Sequence, residues 1–141
     1  MKKIQISDLS VGDWVQWNDK TYRVCVIDGV SLTVELAEKL GGTIEVAIDE
    51  LSGIPITREI LEKNGLSLKE FAFEETTMLG RHIRRISVSV RDQGWWIFVR
   101  IRKAGGYDFW DVVFTVDFIG QFVHELQHAI RLAGIEKEIE L

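Results

Sequence analysis

The chain has 141 residues, 46% hydrophobic and 28% charged, with a net charge of −5, which excludes a disordered chain and a general nucleic-acid binder by charge alone. Its longest apolar run, Trp95-Trp96-Ile97-Phe98-Val99, is far too short to span a membrane. The charge is uneven: Arg81 to Lys103 holds seven Lys or Arg and one acid, Asp92, so that segment is +6 and the remainder −11.

No apolar segment follows Lys2 and Lys3, so no signal peptide is expected and the expected location is the cytoplasm. The single Cys25 fits that compartment and precludes an intrachain disulfide. Its apolar, strand-like surroundings predict a small buried residue rather than a nucleophile.

Residues 1–54 read as a small β unit. Val11-Gly12-Asp13 turns the chain into Trp14–Trp17, and Asn18-Asp19-Lys20 turns it again into Tyr22–Ile27. Asp28-Gly29 is a hairpin signal, Leu32–Leu36 alternates, and Gly41-Gly42 precedes Thr43–Ile48. Short strands at this spacing predict an SH3-like barrel. Trp14 and Trp17 have opposite parity, which predicts one buried and one partly exposed; with Tyr22 the exposed one would form an aromatic shelf of the kind that takes peptides.

The only proline, Pro55, marks the connector. Thr57 is a good N-cap and Asn64-Gly65 a good stop, so a helix is predicted from Arg58 to Lys63. Four alternating segments follow: Leu68–Glu74, Arg84–Arg91, Trp95–Arg102 and Tyr107–Asp117, the last three separated by Asp92-Gln93-Gly94 and Gly105-Gly106. They predict an antiparallel four-stranded meander. Trp95, Ile86, Val88, Val90, Ile97, Val99, Ile101, Trp110, Val112, Phe114 and Val116 share the parity expected to face a core. Arg85, Ser87, Ser89, Arg91, Trp96, Phe98, Arg100, Arg102, Asp111, Val113, Thr115 and Asp117 share the outward parity. A helix is predicted from Phe118 to Ala133, covering the sheet with Ile119, Phe122, Val123, Leu126, Ile130 and Ala133. Ile135–Leu141 alternates apolar and acidic residues and is predicted as a final edge strand.

The last helix contains His124-Glu125-x-x-His128, the zinc-hydrolase signature. On a helix, positions i and i+4 share a face, so both histidines can reach one Zn²⁺ while Glu125 serves as base toward bound water. A catalytic site needs a third protein ligand, and none is placed nearby: the downstream positions are Arg131 and Gly134, and His82 lies in the basic hairpin. The motif arises by chance in roughly one chain of this composition in two hundred. The plainer expectation is a solvated helix face with His124, Gln127, His128 and Arg131 outward and Glu125 on the flank. No catalysis and no cofactor is expected.

The outward face of the meander is the richer candidate. Trp96, Phe98, Arg100, Arg102, Arg85 and Arg91 combine planar apolar surface with guanidinium groups. That mixture marks protein-contact hot spots and also platforms for single-stranded nucleic acid. Asp111 and Asp117 on the neighbouring strand can pair with these arginines.

Three stretches, "ISDLSVGDWVQWNDKTYRV", "IPITREILEKNG" and "FVHELQHAIRLAGIEKEIEL", together resemble a family of short proteins from gut anaerobic bacteria. Its members are often encoded in prophage-like or other mobile regions, and no activity is assigned to the family. The resemblance spans nearly the whole chain, is thinnest from Phe71 to Asp117, and implies a cytoplasmic accessory protein.

The expected architecture is therefore α+β: an SH3-like unit (1–54), a short helix, and a sheet-plus-helix half (55–141) packed with it as one body. The expected function is non-catalytic protein binding through the basic aromatic face by a monomer or homodimer, with nucleic acid as the alternative partner and no membrane association.

Overall fold

The computed structural model describes residues 4–69, 72–103 and 112–141. These form an α+β chain with two antiparallel sheets, of four and five strands, and two α-helices. No helix is long and apolar enough to cross a membrane. The chain divides into two units: Met1–Pro55 with Phe122–His124, and Ile56–Gln121 with Glu125–Leu141.

The first unit holds β1 (Trp14–Trp17), β2 (Lys20–Asp28), β3 (Thr33–Ala37) and β4 (Thr43–Ala47), paired in chain order. Asn18 and Asp19 both have positive φ, 48° and 62°, the backbone of a two-residue primed turn that these short polar side chains tolerate. Gly12, at φ 94°, opens the turn before β1, where the buried Asp13 carboxylate accepts from the Ser10 N–H at 2.8 Å. Val15, Val24, Val34, Leu36 and Val46 are fully buried and fill the core with Ile4, Leu9 and Leu51.

A bulge in β2 at Cys25 changes the expected alternation. Val24 faces Leu36 across the ladder, whereas Val26 faces Glu35 and Ile27 faces Val34. The core parity of β2 thus switches from even to odd residues, and Cys25, expected to be buried, is half-exposed at the switch. The expected barrel does not close among the described residues: the sheet order is β1-β2-β3-β4. The outer edge of β1 bonds instead to Ser52, with Gln16 and Ser52 exchanging N–H···O bonds of 2.8 and 2.9 Å. Trp14 and Trp17 are both half-buried rather than one in and one out. Arg23 lies 4.8 Å from the Trp14 ring, and Trp17 tilts against Tyr22 at 6.0 Å.

In the second unit, α1 spans Arg58–Lys63 as the sequence predicts, with the Thr57 hydroxyl accepting from the Ile60 N–H. The sheet has five strands rather than four: β5 (Ser67–Lys69), β6 (Ala72–Leu79), β7 (His82–Arg91), β8 (Gly94–Lys103) and β9 (Val112–Gly120), in that order. The segment expected as one strand from Leu68 to Glu74 is shared between two antiparallel strands, Leu68 pairing with Phe73. The expected positions of Tyr107–Asp111, including Trp110 and Asp111, lie outside the described residues, as do the side chains of Val112 and Val113.

Phe118 and Ile119 were expected in the helix but end β9, opposite Ile97 and Trp96. Helix α2 begins later, at Val123, and ends at Leu132. An aromatic and a β-branched residue suit a sheet edge better than a first helical turn. The predicted edge strand from Ile135 forms no strand. It is an irregular tail that buries Ile135 and Ile139.

One face of this sheet is the core face. Ile86, Val88, Ile97 and Val99 are fully buried there, each worth about 1.5–3 kcal/mol of transfer free energy. Val90, of the same parity, is instead exposed at the end of the sheet. Trp95, expected to be buried, is half-buried, and its Nε1 donates to the Ile56 carbonyl at 3.0 Å. Arg84 reaches from this face to donate to the Ala133 carbonyl at 2.8 Å, satisfying a group at the end of α2. Lys137 of the tail pairs with Glu75 at 3.0 Å, and Arg58 of α1 lies 5.7 Å from the Phe73 ring. Both helices and the tail are therefore tied to the core face.

Candidate interaction face

The opposite face of the five-stranded sheet carries all six residues expected for binding. Register brings them together. Arg85 lies directly across from Arg100, Ser87 from Phe98, and Ser89 from Trp96. On the other side Phe98 faces Asp117 and Trp96 faces Ile119. Ser87 and Ser89, expected outward, are buried. A short side chain directly opposite a large ring loses its solvent to that ring.

The aromatics and arginines form a continuous row. The Arg91 guanidinium stands 4.9 Å from the Trp96 ring centre, Trp96 is 5.6 Å from Phe98 at 49°, and Arg100 is 5.5 Å from Phe98. Each cation–ring contact is worth about 0.5–1 kcal/mol when partly exposed. Asp117 does not pair with an arginine as expected; its carboxylate accepts the Trp96 indole N–H at 2.9 Å and fixes the ring. Arg85 is bound by Glu74, a partner that the sequence reading missed because it lies on the strand divided between β5 and β6. Arg102 sits half-buried beyond Arg100. Trp96, Phe98 and Arg100 are all half-buried, and Arg91 is exposed. A guanidinium stacked on a ring keeps its N–H edge free to grip carboxylate or phosphate.

The His-Glu-x-x-His helix is arranged differently from the expected solvated face. His124 is only 3% exposed and stacks on Phe122, ring centres 5.7 Å apart at 14°. Gln127 is also buried, His128 is half-exposed, and Arg131 is exposed as expected. The buried arc of α2 is wider than the apolar stripe alone predicts, because His124 and Gln127 join Val123, Leu126, Ala129, Ile130 and Ala133 in it. The Glu125 carboxylate accepts the Gln121 N–H at 3.1 Å ahead of the helix, a structural use of the acid at the positive helix end. Among the described residues no three His, Cys, Asp or Glu side chains gather as metal ligands. His124→Ala is expected to lower stability by about 1–3 kcal/mol, whereas His128→Ala stays within about 0.5 kcal/mol. Thermal melts read this contrast, and elemental analysis of both proteins should give the same zinc content as wild type.

In the first unit, Tyr22 lines a cavity of about 690 Å³ with Ala37, Ile44 and the Lys20, Glu38 and Lys39 side chains. Trp17 and Tyr22 both pack against the core of this unit.

Comparison with known proteins finds no matching family model, no matching curated protein and no matching solved structure.

Proposed function

We propose that the chain is a non-catalytic binding module whose contact face is the open side of the five-stranded sheet and whose partner is an acidic protein surface. The carrying observation is the row Arg91–Trp96–Phe98–Arg100 on the face that holds neither helix. Ordered rings flanked by guanidinium groups are the composition of interface hot spots, and the basic character of this segment selects acidic partners. A cytoplasmic accessory role, and an SH3-like kinship of the open four-stranded sheet, belong to the same reading.

The same row favours a second reading, single-stranded nucleic acid, since rings and arginines also stack bases. Amide and indole NMR spectra separate the two. On addition of a synthetic Glu/Asp-rich peptide, the Trp96 indole signal and the β7 and β8 amides are expected to shift. Trp96→Ala or Arg100→Ala should weaken binding by about 5–30-fold. A salt-dependent shift with oligothymidine, and none with the peptide, would instead establish the nucleic-acid reading. If neither ligand moves these signals, the face is not a binding face.

A further inference from the structure

Direct cross-strand neighbours on a sheet stand about 5 Å apart, and like charges in that position repel. Among the described residues two such pairs occur, of opposite sign. Glu35 on β3 and Glu45 on β4 are direct partners. They lie on the face away from the buried Val34 and Val46, and neither is ion-paired among the described residues. Arg85 on β7 and Arg100 on β8 are likewise direct partners. Glu74 offsets Arg85, whereas the contact described for Arg100 is the Phe98 ring.

Each pair has apolar neighbours. Val26 is the direct partner of Glu35 and is exposed, and the adjoining hairpin tip presents Val30, 97% exposed, and Leu32. Leu32 holds φ at 55°, a conformation that costs a bulky residue energy and fixes the tip's shape. Beside the arginine pair lie Phe98 and Trp96 and the exposed Ile119. Asp28, one row along from Val26, adds a third carboxylate. Hydrogen bonds from the Ser31 backbone and side chain, and from the Val30 backbone, hold it below the ordinary carboxylate value, so it stays charged.

We propose that this chain associates head to tail with a second copy of itself, the Glu35/Glu45 pair of one copy engaging the Arg85/Arg100 pair of the next, with Val30 and Leu32 set against Trp96 and Phe98. The proposal rests on the reading of the open sheet face as a binding face and names its partner. Matched placement is the core of the argument: the two glutamates and the two arginines each leave the sheet from Cβ atoms about 5 Å apart, so the pairs can offset one another's charge when opposed. The uneven charge of the sequence, +6 against −11, has the same sense. The contact uses two different patches, so it is heterologous and grows into rings or filaments rather than closing as a two-fold dimer.

Sedimentation velocity over a concentration series tests this, run at about 50 mM and about 500 mM salt. Wild type should sediment faster with rising concentration at low salt and as a monomer at high salt. Glu35→Gln/Glu45→Gln and Arg85→Gln/Arg100→Gln, checked for folding by circular dichroism, should each be monomeric. Mixed in equal amounts they should form a one-to-one complex that grows no further, since one variant keeps the arginine pair and the other the glutamate pair. A wild type that is monomeric at every concentration, or variants that associate as wild type does, would overturn the proposal. If wild type is monomeric yet the acidic peptide still shifts the Trp96 signal, self-association is refuted and the binding face stands. If the peptide also fails, both are refuted.

Discussion

Ending the chain after Gly134 is expected to cost the second unit about 5 kcal/mol, measured by urea denaturation. The tail has no regular structure, so the size of this effect comes from what it buries and bonds. Ile139 is 1% exposed and Ile135 5% exposed; each contributes about 1.5–3 kcal/mol by burial. Asn64, at the end of α1, donates through Nδ2 to the Glu140 carbonyl at 2.7 Å and to the Ile60 carbonyl at 2.8 Å, and its Oδ1 accepts from the Glu140 N–H at 2.7 Å. The Lys63 ammonium donates to the Leu141 carbonyl at 2.5 Å, and Lys137 pairs with Glu75. In the full chain Ile139→Ala alone should reproduce about 2–4 kcal/mol of this loss, and Asn64→Ala about 1–2 kcal/mol. A truncated protein as stable as the full chain would show that the tail only decorates the surface.

Gly53→Ala is expected to cost the first unit about 1–3 kcal/mol, although it adds a single methyl group. A Cβ there would stand 2.5 Å from Cδ1 and 2.8 Å from Cδ2 of Phe122. The ring cannot retreat freely, because its chain neighbour is fixed: the Val123 N–H donates to the Ile54 carbonyl at 2.8 Å. The ring must tilt, and its stack with His124 goes with it. The His124 ring protons should therefore shift in the NMR spectrum while the melting temperature falls. Phe122→Ala removes Cγ and both Cδ atoms from the clash, so it should cost less in the Gly53→Ala protein than in wild type. Strict additivity of the two substitutions would show that they do not meet.

Much of this architecture was legible in residues that act locally. Thr57, Asn64 and Gly65 delimit α1 because capping is a matter of a few neighbouring backbone groups. The strands around Trp14–Trp17 and Thr43–Ala47 follow from turn residues and alternation. What alternation could not show was register. The bulge at Cys25 reverses the pattern within a single strand, and no residue type announces it. The division of the stretch around Leu68 and Phe73 into two strands depends on a pairing between them that the sequence does not display. The candidate face was found by parity, and that sufficed to collect Arg85, Arg91, Trp96, Phe98, Arg100 and Arg102. Its internal wiring, with Asp117 on the indole and Glu74 on Arg85, required the cross-strand diagonals. His124 was misplaced for a simpler reason. A helical wheel drawn from apolar residues alone sends every histidine to solvent, whereas the aromatic body of His124 packs flat on Phe122.

The chain leaves the first unit at Pro55 and returns to it for three residues, Phe122–His124. Phe122 supplies the ring that lies against Gly53, and Val123 supplies the N–H that satisfies Ile54. On the ribosome the first unit therefore lacks these parts until some seventy further residues, roughly, have been made, a wait of several seconds at about 5–20 residues per second. Through that interval its four-stranded sheet is a provisional structure, and the second unit must be largely synthesised before the first is finished. A gene fragment ending near codon 55 would encode a sheet without its closing ring. A recombination event that cut at Pro55 would thus carry off all of the second unit and leave the first without Phe122–His124.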